Sequence, residues 1–171
     1  MNWLTDFVKP KLNSLVNRKD PPSDLWTKCG CGERMLYVSD LKENLHVCSY
    51  CDQHMYIDFE SRFKHLFDDE KFELIEIPIE NNDPLKFKDL KKYTDRLKDA
   101  QQKTKQKDAA HVATGQIGGT TICIFLLDFK FMGGSMGQYV GEAFKIGCQK
   151  AVELNCPFIS IASSGGARMQ E

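Results

Sequence analysis

Two glycine-bearing turns near the end of the sequence carry residue types suited to chemistry at an oxygen atom. The first turn spans residues 131–137, Phe-Met-Gly-Gly-Ser-Met-Gly, and the second spans residues 163–171, Ser-Ser-Gly-Gly-Ala-Arg-Met-Gln-Glu. Glycine lets main-chain N–H groups approach a ligand closely, and a helix that begins just beyond adds unsatisfied donors and a positive dipole end. Such donors stabilise negative charge that develops on oxygen during a reaction.

Two close cysteine pairs form a second candidate site, for a metal ion. One residue separates Cys29 from Cys31, and Cys48 and Cys51 follow sixteen residues later. Pairs at this separation resemble a zinc ribbon, in which two thiolate-bearing turns complete a tetrahedron around one zinc. The usual first pair has two intervening residues, so a metal-free segment of reduced cysteines stays open as an alternative. His46 is available as a substitute ligand.

Apolar stretches on either side of the first turn predict the elements that position both turns. Residues 122–127 indicate a buried strand, 138–154 a helix and 158–162 the next strand, which together make a β-α-β unit. The expected apolar face of the helix comprises Val140, Phe144, Cys148 and Ala151.

Upstream segments indicate the rest of a sheet and a helix that packs on it. Residues 111–116 and 120–128 predict two strands joined through Gly118-Gly119, a pair typical of a hairpin. Residues 58–69 predict a helix, because phenylalanine and leucine recur with a helical period, and residues 72–79 alternate as a strand does.

Composition excludes several classes of protein. The 171 residues are 42% hydrophobic, carry a net charge of −1 and include seven cysteines. A near-neutral chain gives no indication of a nucleic-acid or membrane partner, and an odd number of cysteines without a secretion signal favours reduced thiols. The sequence shows neither a membrane span nor a signal peptide, so we expect residence in the cytoplasm.

The composition also changes along the chain. Residues 1–22 mix apolar and charged residues and end at Pro21-Pro22, which indicates an arm and linker. Residues 23–57 hold the cysteine pairs, and residues 58–171 form the larger domain. We therefore expect one medium-sized domain preceded by a small one.

A basic segment precedes the hairpin. Residues 85–107 hold nine lysine or arginine residues against three aspartates, for a local charge of +6. A solvated helix face explains most such runs. The functional alternative is attraction of phosphate. Arg96 is the first candidate, because the guanidinium of arginine can donate two parallel hydrogen bonds to a phosphate.

Five blocks together resemble one known family. These are the two glycine turns, Asp83-Pro-Leu-Lys-Phe87, Lys92-Tyr-Thr-Asp-Arg-Leu97 and the cysteine segment. In order and spacing the sequence is similar to the beta subunit of the bacterial acetyl-CoA carboxylase carboxyltransferase. The resemblance covers nearly the whole chain, although Gly32 stands where the family has its second cysteine.

The resemblance implies an α/β fold, with a small zinc ribbon followed by the first part of a crotonase-like β-β-α superhelix. It implies transfer of a carboxyl group from carboxybiotin to acetyl-CoA, which gives malonyl-CoA for fatty acid biosynthesis within an ATP-dependent complex. The implied partners are an alpha subunit in an α2β2 assembly, the biotin carboxyl carrier protein and biotin carboxylase.

The resemblance also assigns residues. Gly165 and Gly166 would donate their N–H groups to the thioester oxygen, Gly133 and Gly134 would shape the neighbouring wall, and Arg168 would open the following helix and bind substrate. For Gly133-Gly134 a tight turn that lets the helix pack is an equal alternative. Arg96 would bind the phosphates of coenzyme A, and zinc would lie among Cys29, Cys31, Cys48 and Cys51.

Two other functions stay open at this point. A zinc-ribbon module that binds nucleic acid is disfavoured because acidic residues outnumber basic ones in residues 24–57. A non-catalytic subunit that keeps only partner contacts is the other alternative. Since a second donor to the oxyanion is expected from a later repeat, we expect the 171 residues to hold an incomplete site.

Overall fold

The first described unit is built from two short hairpins with a cysteine pair at each tip. The computed structural model describes residues 25–32, 34–78 and 83–171, so the predicted arm at residues 1–22 lies outside them. Strands β1 (Trp26–Lys28) and β2 (Met35–Tyr37) pair antiparallel and are followed by helix α1 (Val38–Glu43). An antiparallel bridge between Val47 and His54 closes the second hairpin.

The described part of this unit, which ends at Ile57, has a small core. Its buried apolar residues are Cys29, Leu36, Leu41 and Cys48, with Met55 packed against them. A core of this size does not stabilise a domain alone, and such domains commonly depend on a metal. Helix α1 was not predicted, because its single buried residue, Leu41, gives no helical period.

The second unit, Asp58–Glu171, is a four-stranded sheet with helices on both faces. In chain order its elements are α2 (Phe59–Leu66), β3 (Phe72–Leu74), α3 (Tyr93–Thr104), β4 (Ala110–Ile117), β5 (Thr120–Leu127), α4 (Gln138–Glu153) and β6 (Phe158–Ile161). The sheet order is β3-β4-β5-β6; the first two pairings are antiparallel, and β5 and β6 are parallel. Helix α4 makes the crossover that a parallel pair needs. The predicted hairpin and β-α-β unit are thus confirmed.

Strand β5 contributes to two cores because its side chains alternate between the sheet faces. Cys123, Phe125 and Leu127 pack on the face covered by α4, whereas Ile124 and Leu126 pack against Phe63 and Phe67 at α2. Burial on both faces explains why this strand appears in the sequence as a continuous apolar run.

The structure differs from the sequence-based expectations in two element boundaries and in the burial of one side chain. The strand expected over residues 72–79 ends at Leu74, shortly before the hydrogen bond from Ile75 to Val112. Helix α2 ends at Leu66, because Phe67 is extended. On α4, Phe144 was predicted to be buried but is 43% exposed, since its ring contacts Phe125 and Phe158 while one side faces a surface cleft.

Asp68 anchors the hairpin between β4 and β5. Its carboxylate accepts hydrogen bonds from Gly118 N and Gly119 N, at 3.0 and 2.8 Å, and these bonds hold the pKa of Asp68 below its usual value of 3.8. Because the folded pKa is lowered, the stabilisation is present above pH 3.8 and is lost as the pH falls through the folded pKa.

We expect Asp68→Asn to lower the Tm at pH 7, with a difference from wild type that shrinks in acid. The control is Asp69→Asn, since Asp69 is exposed and, within the described part of the chain, forms an ion pair with exposed Lys71 alone; equal shifts from both variants would contradict the anchor.

Candidate functional site

The first glycine turn leaves β5 through a short 3₁₀ turn, Met132–Gly134. Gly133 and Gly134 have φ angles of +66° and +63°, which glycine adopts without strain. A Cβ atom on Gly134 would overlap the carbonyl oxygen of Ser163, whereas a Cβ on Gly133 would meet only the edge of Phe129 at 4.0 Å. Gly134 is therefore required for the close approach of the two turns, and Gly133 only for its own backbone conformation.

Three main-chain hydrogen bonds join the two turns edge to edge. Gly165 N donates to Gly133 O at 2.9 Å, Met136 N to Gly166 O at 2.9 Å, and Arg168 N to Met136 O at 2.8 Å. Met136 and Ala167 consequently form a parallel bridge. The structure thus brings together the two turns that the sequence singled out, although about thirty positions separate them.

The main-chain donors of the second turn are already engaged in part. Gly165 N is bonded to the first turn, and Gly166 N donates to the hydroxyl of Ser164 at 3.0 Å. In a parallel bridge the central residue directs its own N–H away from the partner strand, so Ala167 N points away from the first turn. The oxyanion role predicted for Gly165 and Gly166 does not fit Gly165 in this geometry, because its N–H already has an acceptor in the protein. Gly166 stays a candidate, since Ser164 is exposed and its hydroxyl can rotate.

Arg168 lies buried behind the two turns. Its side chain is 0% exposed and donates to Asp108 through both terminal nitrogens, at 2.7 and 2.8 Å. The remaining hydrogen bonds run to Ser135 Oγ, Ser135 O, the Tyr93 hydroxyl and Glu171. The guanidinium therefore offers no free donor to a ligand, which does not fit the predicted role in binding substrate. Residues 169 and 170 form a turn, and the helix expected to begin at Arg168 stays a prediction.

Glu171 connects this cluster to helix α4. Its carboxylate accepts hydrogen bonds from Gln138 N, the first residue of α4, and from the Tyr93 hydroxyl. Burial raises the pKa of Tyr93 well above its usual value, and the bond to Glu171 raises it further, so the hydroxyl keeps its proton. A carboxylate at a helix N-terminus also interacts favourably with the helix dipole.

Sequence reasoning did not single out Asp108, Tyr93 or Ser135 as site residues. Asp108 lies 60 positions before Arg168, and no spacing rule connects residues so far apart. The signal available in the sequence was an arginine in a glycine-bearing turn. If the fold buries such a cation, it needs a carboxylate partner.

Arg96 lies one helical turn beyond Tyr93 on α3, in the basic segment. Its guanidinium donates to Asp89 and its side chain is 37% exposed, so it stands at the surface in an ion pair. It is accessible to a phosphate that competes with Asp89. Arg96 and Arg168 therefore have different environments. Arg96 lies at the surface, whereas Arg168 is enclosed.

An apolar cleft of about 320 Å³ begins at the first glycine turn. It lies between α4 and the strands β5 and β6, and Leu127, Met136, Val140, Phe144 and Ala162 are among its lining residues. The cleft therefore places apolar surface directly beside the first turn.

The cysteine pairs of the first unit meet in the geometry that a metal requires. The sulfur atoms of Cys29, Cys31 and Cys51 all lie within 4.8 Å of one another, and those of Cys29 and Cys51 are 3.5 Å apart. A zinc tetrahedron with Zn–S bonds of about 2.3 Å has sulfur–sulfur edges of about 3.8 Å, so this cluster could hold a metal ion. Cys31 belongs to it despite its one-residue spacing from Cys29.

Cys48, the fourth predicted ligand, lies outside this mutually close group but contacts the sulfurs of Cys29 and Cys51. The N–H of Tyr50, and with it that of Cys51, donates to the Cys48 sulfur and lowers the pKa of the thiol. Such bonds favour the thiolate that a metal binds. His46 is buried and, among the described residues, belongs to no group of close metal-binding atoms.

Residues 76–171 match the carboxyl transferase domain family, and the chain belongs to that family. Over its whole length it is similar to acetyl-coenzyme A carboxylase carboxyl transferase subunit beta, with 46% identity to that of Jannaschia sp., 47% to that of Dinoroseobacter shibae and 46% to that of Granulibacter bethesdensis. The chain covers 54%, 53% and 56% of those proteins, so it spans just over half the length of the relatives it matches.

Solved structures show the same fold. The crystal structure of transcarboxylase 12S with hydrolysed methylmalonyl-coenzyme A bound matches 66% of this chain and 20% of its own, with a TM-score of 0.51 and 24% identity. That likeness supports the crotonase-type carboxyltransferase fold predicted from the sequence. Among the residues that the structure describes, no helix combines the length and apolarity that crossing a bilayer requires.

Proposed function

We propose that this chain supplies the thioester-binding turns of an acetyl-CoA carboxylase carboxyltransferase, as a subunit of beta type. The observation that carries the proposal is the pairing of the two glycine turns, which presents main-chain donors beside an apolar cleft in a chain of the carboxyl transferase family. The names of the relatives support acetyl-CoA carboxylase as the enzyme.

The proposed chemistry makes one clear physical demand. The methyl group of acetyl-CoA loses a proton and attacks the transferred carboxyl carbon, while negative charge collects on the thioester oxygen. Fixed N–H donors lower the barrier because they need no reorganisation as that charge develops. Gly166 and Ala167 are the donors that this geometry favours, because rotation of the Ser164 hydroxyl frees Gly166 N and because Ala167 N points away from the first turn.

No acid or base side chain of this chain is assigned to the proton transfer. Carboxybiotin supplies the carboxyl group, and the ureido nitrogen that it leaves behind can accept the methyl proton. The surface of the two turns offers no histidine, and the carboxylate of Glu171 is engaged with Tyr93, Arg168 and α4. The products of this scheme are malonyl-CoA and biotin.

Arg96 provides a test of coenzyme A binding. We expect the chain to bind acetyl-CoA weakly without an alpha-type partner and Arg96→Ala to weaken the binding about threefold to tenfold, the effect of one lost hydrogen bond of ordinary strength. Calorimetric titration with acetyl-CoA measures it, with Lys98→Ala on the same helix as the control. Equal affinities for wild type and Arg96→Ala would show that the basic segment is only a solvated helix face.

Zinc is the metal that we propose for the cysteine cluster, with Cys29, Cys31 and Cys51 as ligands and Cys48 as the fourth. Three or four thiolates at these separations suit a structural zinc, and the small core of the first unit indicates a need for it. Elemental analysis should give one zinc per chain, reduced in Cys31→Ser and unchanged in Cys156→Ser. Less than about a tenth of an equivalent after zinc-replete expression would refute the site.

A nucleic-acid-binding module is not favoured by the comparisons. An assay of malonyl-CoA formation from acetyl-CoA and carboxybiotin distinguishes a subunit without catalysis from the proposed enzyme.

A further inference from the structure

We propose that Arg168, Asp108, Tyr93 and Glu171 form a positioning network, which fixes the second glycine turn against the first turn and against the start of α4. None of the four is proposed to touch the thioester. The inference deepens the function proposed above, because it names the residues that set the direction of the main-chain donors.

The guanidinium of Arg168 links the two turns directly. It belongs to the second turn, and it donates to Ser135 Oγ at 3.0 Å and to Ser135 O at 2.9 Å in the first. The two bonds to Asp108 fix the plane of the guanidinium, since a guanidinium bound through both terminal nitrogens cannot rotate. The second turn therefore cannot slide along the first without breaking charged hydrogen bonds in a buried site.

Glu171 fixes the same turn to a third element. Its carboxylate accepts from Gln138 N at the start of α4, and the Tyr93 hydroxyl bridges it to Arg168. A Cβ atom on Gly137 would overlap this carboxylate, so glycine at the end of the first turn is what admits Glu171 to the helix terminus. The two turns and the start of α4 thus meet Tyr93 and Asp108 at one buried cluster.

Stability alone is a weak reason for such a cluster. Replacing a buried ion pair by apolar residues of similar volume is often neutral or stabilising, whereas removing one partner is strongly destabilising. A double variant can therefore remove the Arg168–Asp108 pair while the fold is kept, because the remaining carboxylate of Glu171 still accepts hydrogen bonds from Gln138 N and the Tyr93 hydroxyl. This separates a role in positioning from a role in stability.

The experiment is amide hydrogen exchange, followed by NMR, on Arg168→Met/Asp108→Leu and on Tyr93→Phe. We expect the double variant to keep a Tm close to that of wild type while the amides of Gly165, Met136 and residue 168 exchange about tenfold faster or more. Amides in the centre of β4 and β5 should keep their wild-type rates and serve as the internal control.

Wild-type exchange at these three amides in a folded double variant would overturn the proposal. If the double variant does not fold, Tyr93→Phe decides, because it removes only the hydroxyl: faster exchange at Gln138 supports the network and an unchanged rate overturns it. The measurement needs neither substrate nor partner, so its outcome is independent of whether the chain takes part in carboxyl transfer.

Discussion

Replacing Arg168 alone by methionine is expected to lower the free energy of unfolding by about 3–5 kcal/mol. The substitution keeps most of the side-chain volume but leaves the Asp108 carboxylate, whose side chain is 0% exposed, without its cation. An uncompensated charge in an enclosed site carries the full cost of its lost hydration. Urea denaturation of wild type and variant measures the difference.

The matched control is Arg96→Met. Arg96 also pairs with an aspartate, but its side chain is 37% exposed and that of Asp89 is 40% exposed. Surface ion pairs contribute about 0–1 kcal/mol, so this variant should unfold close to wild type. Similar losses from the two variants would contradict the distinction between an enclosed and a surface ion pair.

Gly134→Ala is expected to destabilise the second unit by about 2–5 kcal/mol. A positive φ costs alanine about 1–2 kcal/mol, and the overlap of the new Cβ with the Ser163 carbonyl adds about 1–3 kcal/mol, as overpacking does. The carbonyl belongs to the main chain of the second turn, so relief of the overlap requires the turns to separate.

Gly133→Ala carries only the first of these costs, the positive φ. Its φ of +66° nearly equals the +63° of Gly134, but the space around its Cβ position is open. We therefore expect a loss of only about 1–2 kcal/mol, measured in the same denaturation experiment. Equal losses at the two positions would mean that close approach of the turns adds nothing to the cost.

Local elements were predictable from the sequence because each leaves a local signal. Examples are the run of apolar residues in β5, the glycine pair at residues 118–119 and the helical period of α2. The residues that make up each of these signals lie within a few positions of one another. Each follows from the geometry of one strand, one turn or one helix. The β-α-β unit then follows, since a helix between two apolar strands connects them in parallel.

The arrangement of the site depended on contacts that no period encodes. The resemblance to the family placed Arg168 at a ligand, but burial beside Asp108 gives the side chain another role. It likewise assigned both N–H groups of Gly165-Gly166 to an oxyanion, whereas the first turn already binds Gly165 N. Pairings between residues 30 or 60 positions apart are determined by the whole fold.

The metal cluster shows a different limit. Spacing predicted four cysteines and raised doubt about Cys31, yet the structure places Cys31 in the close group and leaves Cys48 outside it. Loop shape decides which sulfur atoms meet, and a one-residue change in spacing does not determine that shape.

The central claim is that the paired glycine turns of this chain serve carboxyl transfer. Its most direct test is malonyl-CoA formation from acetyl-CoA and carboxybiotin by a chimera in which this chain replaces the matching 172 residues of the Jannaschia beta subunit, assayed with the alpha partner of that organism. The parent subunit and the chain alone are the controls.

We predict that the chimera with its partner makes malonyl-CoA and that the chain alone does not, because the chain spans only 54% of the length of that beta subunit. A folded chimera that forms no product, in an assay where the parent subunit is active, would contradict the claim that these turns support the reaction.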